Sequence, residues 1–241
     1  MKKNIFAALS IFISLLTIIP AKAQNGGEIL EKYYKATGLD KIADSMAGNY
    51  CFERLDSQGD AVVESRVTIS YPGKYRIEVN QGGEKIVMIF NGDSGWAKSS
   101  GSPAVELKQD GIRVLKSMYD YFALLMLDDD SLSIEYGGEK DMKGRIFDKL
   151  IVTDNTIGTT APSTFFFFDH STGLLDHATS EVSADRKKIQ MRMTFRNYEQ
   201  FGDFNIPTEI STFMNDRQEM VIRVMTVTPN YPVNESMFQR P

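Results

Sequence analysis

Apolar residues recur along this chain first at helical spacing and then in strict alternation. Over residues 26–37, Ile29, Leu30, Tyr33 and Tyr34 share one stripe, while Glu28, Glu31, Lys32 and Lys35 lie off it. That pattern predicts an amphipathic helix. Gly38 marks its end, because glycine accepts the left-handed conformation that stops a helix. Leu39 to Met46 are expected to add a short helical turn or two. From there the period changes to two. In 61–71, Val63, Val67, Ile69 and Tyr71 oppose Glu64, Arg66, Thr68 and Ser70; in 74–80, Tyr75, Ile77 and Val79 oppose Arg76, Glu78 and Asn80. In 187–198, Ile189, Met191, Met193 and Phe195 oppose Lys188, Gln190, Arg192, Thr194 and Arg196. Such segments are half-buried antiparallel strands with one apolar face. Turn signals separate them, among them Ser57-Gln58-Gly59-Asp60, Gln81-Gly82-Gly83, Asn91-Gly92-Asp93, Ser171-Thr172-Gly173 and Phe201-Gly202-Asp203. Their close spacing predicts a meander in which each strand pairs with the next.

Two stretches break the alternation. Residues 109–127 carry Ile112, Leu115, Met118 or Tyr119, Phe122 and Leu125 or Met126 at helical spacing, and 122–127 are apolar all round. A helix with no polar face is buried on more than one side, so this one is placed inside the curve of the sheet. Phe165–Phe168 puts two phenylalanines on each face of a strand. The outer face is therefore covered there as well, by the N-terminal helix or by a partner.

The first 23 residues read differently from the rest. Lys2 and Lys3 precede an apolar run from Ile5 to Ile19; Pro20 and Ala21-Lys22-Ala23 follow. This is the layout of a secretory signal cleaved after Ala23, and the run is too short to span a bilayer, which takes about 20 residues. The remaining residues, 24–241, are expected to form a single domain. Removing three lysines and no acids takes the net charge from −5 to −8. That balance disfavours nucleic acid and anionic membrane surfaces, both of which call for Lys and Arg. No cysteine follows the apolar run, so a lipidated N-terminus is not expected. The single cysteine, Cys51, excludes an intramolecular disulfide and reads as a small buried hydrophobe.

Catalytic signatures are weak. Asn91-Gly92-Asp93-Ser94-Gly95 contains the Gly-Asp-Ser-Gly string of one protease class, but both histidines, His170 and His177, follow the serine instead of preceding it. The string also suits a tight hairpin. Asp169-His170 and Asp176-His177 flank a turn and do not make a zinc pattern on their own, and Asp128–Asp130 lacks the spacing of a calcium loop. No enzyme, cofactor or metal site is expected.

The order of these elements resembles the LolA/LolB-like superfamily of outer-membrane lipoprotein-sorting carriers. The resemblance rests on Pro72-Gly-Lys-Tyr-Arg-Ile-Glu78 and on the strand from Ile86 to Asn91-Gly-Asp-Ser-Gly-Trp96, followed by the apolar helix. It continues in Asn197 to Ile210 and in the closing Asn234-Glu-Ser-Met-Phe-Gln-Arg-Pro241. Tyr71 stands where the carrier has a basic residue before the proline. The resemblance implies a mostly-β chain: a curved antiparallel sheet of about eleven strands, an unclosed half-barrel. An N-terminal helix and a helical plug in the concave face complete it. The expected function is a periplasmic carrier that holds the acyl chains of a lipid or lipoprotein and works as a monomer. The cavity lining is expected to be Tyr75, Ile77, Met88, Phe90 and Trp96, then Phe122 and Leu125 from the helix, and Ile189, Met191, Met193 and Phe195 from the later strand. The alternative is a non-catalytic sensor or interaction domain of an envelope complex, touching its partner through Phe165–Phe168.

Overall fold

The computed structural model describes residues 26–43, 48–71, 73–92, 94–109, 111–112, 119, 125, 127, 132–154, 163–184 and 187–241. Residues 1–23, Phe122 and Asp128–Asp130 lie outside them. Two helices, α1 (Gly26–Thr37) and α2 (Asp40–Ala43), precede thirteen strands. The first six are β1 (Gly48–Gln58), β2 (Ala61–Tyr71), β3 (Lys74–Gln81), β4 (Glu84–Asn91), β5 (Ser94–Ser99) and β6 (Val105–Glu106). The rest are β7 (Leu132–Met142), β8 (Arg145–Asp154), β9 (Thr164–Asp169), β10 (Leu175–Ala184), β11 (Lys187–Phe201), β12 (Phe204–Met214) and β13 (Arg217–Pro229). A 3-10 turn at Glu235–Phe238 follows.

All thirteen strands form one antiparallel sheet in the order β6-β5-β4-β3-β2-β1-β13-β12-β11-β10-β9-β8-β7. Two meanders are joined along the β1–β13 seam, where Tyr50 faces Pro229 and Phe52 faces Val227. The sheet is not closed. Its two edges are β6 and β7, which are consecutive in the chain. The segment between them, 107–131, therefore passes from one edge to the other.

Alternation sorts the side chains. Phe52, Val67, Ile77 and Met88 line up across β1–β4 on the concave face. Ile210 and Phe195 stand opposite each other on the same face of the second meander. These residues belong to one core, and burying each large apolar side chain contributes about 1.5–3 kcal/mol. At one end an edge-to-face aromatic row forms the floor. Ring centroids are 6.2 Å apart for Phe90–Tyr75, 6.3 Å for Tyr75–Tyr71, 5.9 Å for Tyr71–Tyr50 and 5.8 Å for Tyr50–Phe204. Each such pair adds about 0.5–1.5 kcal/mol beyond area burial. Tyr71, the residue that departs from the carrier pattern, is a link in this row.

α1 lies on the concave face. Ile29, Leu30 and Tyr33 are buried, and the Tyr33 ring meets Phe168 edge-on at 5.2 Å. This corrects the expectation that the helix covers the outer side of the phenylalanine run. Phe166 and Phe168 share the inner face with Leu150 and Leu175. Phe165 and Phe167 point outward and are covered by polar side chains: Lys149 Nζ sits 4.1 Å above the Phe165 ring and His177 stacks on Phe167 at 4.3 Å. α1 ends at Gly38, with φ of 74°, where a Cβ would stand 2.2 Å from the Asp203 carbonyl oxygen. The strand count also exceeds the expected eleven.

The tail crosses the convex face. The Tyr231 amide donates to Asn49 O at 3.1 Å, Lys74 Nζ reaches Glu235 at 2.7 Å and Arg76 donates to Met237 O at 3.3 Å. Phe238 is buried there. Burial pushes the Cys51 thiol up, against a weaker opposing effect from Thr68, in keeping with an inert cysteine.

Gly95 is opposite Phe90, and a Cβ on it would meet Ile112 Cγ1 at 2.9 Å and Phe90 Cδ1 at 3.0 Å. Gly95→Val is expected to destabilise the protein by about 1–3 kcal/mol in urea unfolding. Gly111→Ala, in a helical position with open space around it, is expected to be neutral or to stabilise by up to about 1 kcal/mol.

Candidate ligand-binding site

The concave face is the candidate site, and its two ends differ. At the aromatic floor Tyr75 and Phe90 are buried, as are Ile77, Met88 and Phe195 further along the wall. Toward the opposite end, Val63, Ile86, Leu132, Ile134, Phe166, Met193 and Met220 pack on the core yet stay partly exposed. Ile189 and Met191 are likewise half-buried. These residues come from β2, β4, β7, β9, β11 and β13, so they ring one mouth of the half-barrel.

Nearly all the predicted lining residues that are described share this face. Tyr75, Ile77, Met88 and Phe90 alternate inward on β3 and β4; Ile189, Met191, Met193 and Phe195 do so on β11. Trp96 does not. It pairs with Ile89, and both stand on the convex face, one residue out of phase with Met88 and Phe90. Leu125 is buried in the core.

Described residues between β6 and β7 lie against part of this wall. Gln109, Gly111, Ile112, Tyr119 and Leu125 are helical. Ile112 presses on Gly95, Tyr119 lies over β1, and the Leu127 amide donates to Tyr34 Oη of α1 at 2.8 Å. These residues thus lead from one edge of the sheet to the helix lying on the other meander.

Sequence inspection passed over a polar island in the wall. Arg54, 4% exposed, sits two residues beyond Phe52 on the same face. It grips Asp56 through two hydrogen bonds of 2.8 Å, and its guanidinium lies 5.0 Å from the Tyr119 ring centroid. Burial pushes the Tyr119 hydroxyl pKa up, and the Asp56 carboxylate adds to the shift. The alternation Phe52-Glu53-Arg54-Leu55-Asp56 could have revealed the pair, because it places Arg54 and Asp56 in phase with Phe52.

The chemical motifs resolve into structural features. Ser94 faces Asn91 across the β4–β5 hairpin. That hairpin and His177 on β10 lie in different meanders, β5 being second and β10 tenth in the sheet order. Asp169 caps the following turn, accepting from the Ser171 and Thr172 amides at 3.0 Å each, and pairs with Arg145 at 2.9 Å. Asp176 holds His177 at 2.9 Å, with Arg145 and Arg196 each at 3.1 Å. Burial alone would raise the pKa of both carboxyls. Ser171, Arg145 and Thr172 outweigh it for Asp169, and His177, Arg196 and Arg145 do so for Asp176, so both titrate below the usual carboxylate range.

Two predictions follow from these polar groups. Arg54→Met strands Asp56 and is expected to cost up to about 3 kcal/mol, most of it recovered in Arg54→Met/Asp56→Leu, as read by a double-mutant cycle in urea. A depressed native pKa stabilises the fold above the unfolded value, near pH 4, and the contribution is lost as pH falls. Asp169→Asn is therefore expected to flatten the decline of stability below about pH 4 in acid titrations.

No family model matches the sequence, and no curated protein matches it either. Solved structures do share its architecture. A LolA superfamily protein from Nitrosomonas europaea superposes with a TM-score of 0.58 at 11% identity, over 90% of this chain and 98% of that one. A DUF1329 family protein from Desulfovibrio piger gives 0.56 at 14% identity, over 88% and 97%. A domain described as an outer membrane lipoprotein-sorting protein, from Vibrio parahaemolyticus, gives 0.53 at 8% identity, over 87% and 97%. Among the described residues no helix is long and apolar enough to cross a membrane. The thirteen-stranded unclosed sheet with its apolar concave face is the LolA/LolB-like fold.

Proposed function

We propose that this chain is a periplasmic carrier, freed of residues 1–23, that holds the acyl chains of a lipid or lipoprotein against its concave face. The carrying observation is the mouth. A largely apolar wall ends in half-exposed side chains from six strands, with Met193 and Met220 among them. Methionine is flexible and polarizable and adapts to irregular apolar guests. Removing an acyl chain from water contributes about 0.8 kcal/mol per CH2, so binding needs no specific polar contact and discriminates little by chain length.

Tyr75, Ile77, Met88, Phe90, Phe195 and Leu125 are buried, so a chain that reaches them must displace something. The crossing segment is the element to move. It is tied to the sheet by Ile112 and to α1 by the Leu127–Tyr34 bond, and Phe122 belongs to it. In this reading it is a plug that the ligand replaces, and no bond is made or broken in the cargo. The alternative, a docking patch at Phe165–Phe168, is less favoured because two of the four rings face inward and the outer two are already covered.

The test is native mass spectrometry of tag-free protein isolated from a bacterial periplasm, with solvent extraction of bound material and displacement of a fluorescent fatty acid. A stoichiometric lipid or lipopeptide is expected. Met193→Glu, which places a charge in the mouth, should weaken displacement at least about 10-fold. Met225→Glu, at a convex position 55% exposed, should leave it unchanged. An apo mass that persists after incubation with lipid and lipopeptide would refute the carrier reading.

A further inference from the structure

We propose that Glu139, Asp148 and His170 form a binding site for a divalent transition-metal cation, with zinc the best match. Asp148 is 1% exposed and lies on the concave side of β8, in phase with Leu150. His170 Nδ1 stands 3.1 Å from both of its carboxylate oxygens. Glu139 Oε1 is 4.0 Å from the same nitrogen, and one ligand atom from each residue falls within 4.8 Å of the others.

The backbone has been diverted to make this grouping. β7 pairs with β8 in regular register up to Tyr136↔Leu150, then shifts, and resumes with Glu139↔Asp148. Without the shift Gly138 would face Asp148. The irregularity at Gly137-Gly138 therefore replaces a glycine by a second carboxylate, directly across the strand pair from a buried one. Like charges in that position repel, and a buried charge is costly unless paired. Bulges that re-aim side chains in this way cluster beside functional sites.

Among the described residues, the neighbouring cations are engaged elsewhere. Lys32 Nζ donates to the His170 carbonyl oxygen, which fixes the turn but leaves the carboxylates to the imidazole. Arg145 is engaged by Asp169 and Asp176. One imidazole facing two carboxylates leaves negative charge that a divalent ion would neutralise.

The donor set selects the ion. An imidazole nitrogen suits zinc and its neighbours, whereas magnesium and calcium prefer oxygen alone. Three protein ligands plus water is a common open zinc arrangement, with Zn–N and Zn–O near 2.0–2.2 Å and ligand atoms therefore about 3.3–3.5 Å apart. Asp148 and His170 are already close to that spacing. Glu139, whose side chain is 55% exposed, has the freedom to close the rest. The bound ion would tie edge strand β7 to β8 and to the β9–β10 turn, away from the proposed lipid mouth and independently of it.

The experiment uses the tag-free chain from residue 24 onward, stripped with chelator and titrated with zinc chloride, with magnesium chloride in parallel. One zinc per chain is expected by calorimetry, with a rise in Tm of about 5–10 °C at a hundredfold excess over Kd and no response to magnesium. His170→Gln and Asp148→Asn should abolish both zinc signals. Glu139→Gln, at an exposed position, should weaken zinc binding while making the metal-free protein more stable than wild type, because it removes the cross-strand repulsion. Absence of zinc binding to the wild type would overturn the proposal, and so would zinc binding that survives unchanged in His170→Gln or Glu139→Gln.

Discussion

A sheet with one apolar face must hide that face, and with an open edge on each side it cannot do so by closing on itself. This constraint governs the rest of the molecule. The strand order sends the chain from β6 at one edge to β7 at the other, so the connecting segment is available to cover the wall of the first meander. α1 covers the second, with Tyr33 against Phe168. The two inserts meet at the Leu127–Tyr34 hydrogen bond. What lies inside the curve is therefore held by contacts that differ in kind from the continuous ladder of the sheet.

The convex face solves the opposite problem. It is wet over β1–β4, where Arg66–Glu53 and Lys85–Glu78 form ion pairs across strands. Exposed pairs of this kind are worth about 0–1 kcal/mol each and serve solubility and register more than stability. Near the floor of this meander the convex side is apolar, at Ile89 and Trp96, and there the tail with Phe238 lies over β3 and β4. The short Phe-Gln-Arg-Pro ending noticed in the sequence thus has a mechanical meaning: its phenylalanine is a packing element.

Period-two segments were legible wherever one face is greasy and the other charged. β2 runs over the residues the alternation indicated, 61–71, and β3 and β11 exceed their predicted ends by one and three residues. α1 was legible for the same reason at helical period. Less was visible where the two faces do not differ in polarity. β7 reads Leu-Ser-Ile-Glu-Tyr-Gly-Gly-Glu-Lys-Asp-Met, and its register shift falls on the glycine pair, so no single alternation runs through it. Trp96 was misplaced because an aromatic residue after a hairpin gives no phase of its own: the turn sets Gly95 opposite Phe90 and so turns Trp96 to the other face. Arg54 and Asp148 were overlooked for a simpler reason. Charged residues are presumed exposed, and both are buried beside a polar partner within an apolar wall, Arg54 with Asp56 and Asp148 with the His170 imidazole.

The seam between β1 and β13 carries a further consequence, for how the chain acquires this shape. Every other pairing in the sheet joins neighbours in the sequence across a turn or a short connection, but the seam joins Tyr50 to Pro229. The two meanders can zip from their own turns on the fast timescale of local contacts, whereas the seam waits on a closure spanning most of the molecule. A chain made from its N-terminus therefore presents β1 with one bare edge until the last strand is complete. During that interval the middle of the future sheet is a bare margin, and a strand that will end in its interior is one in need of shelter.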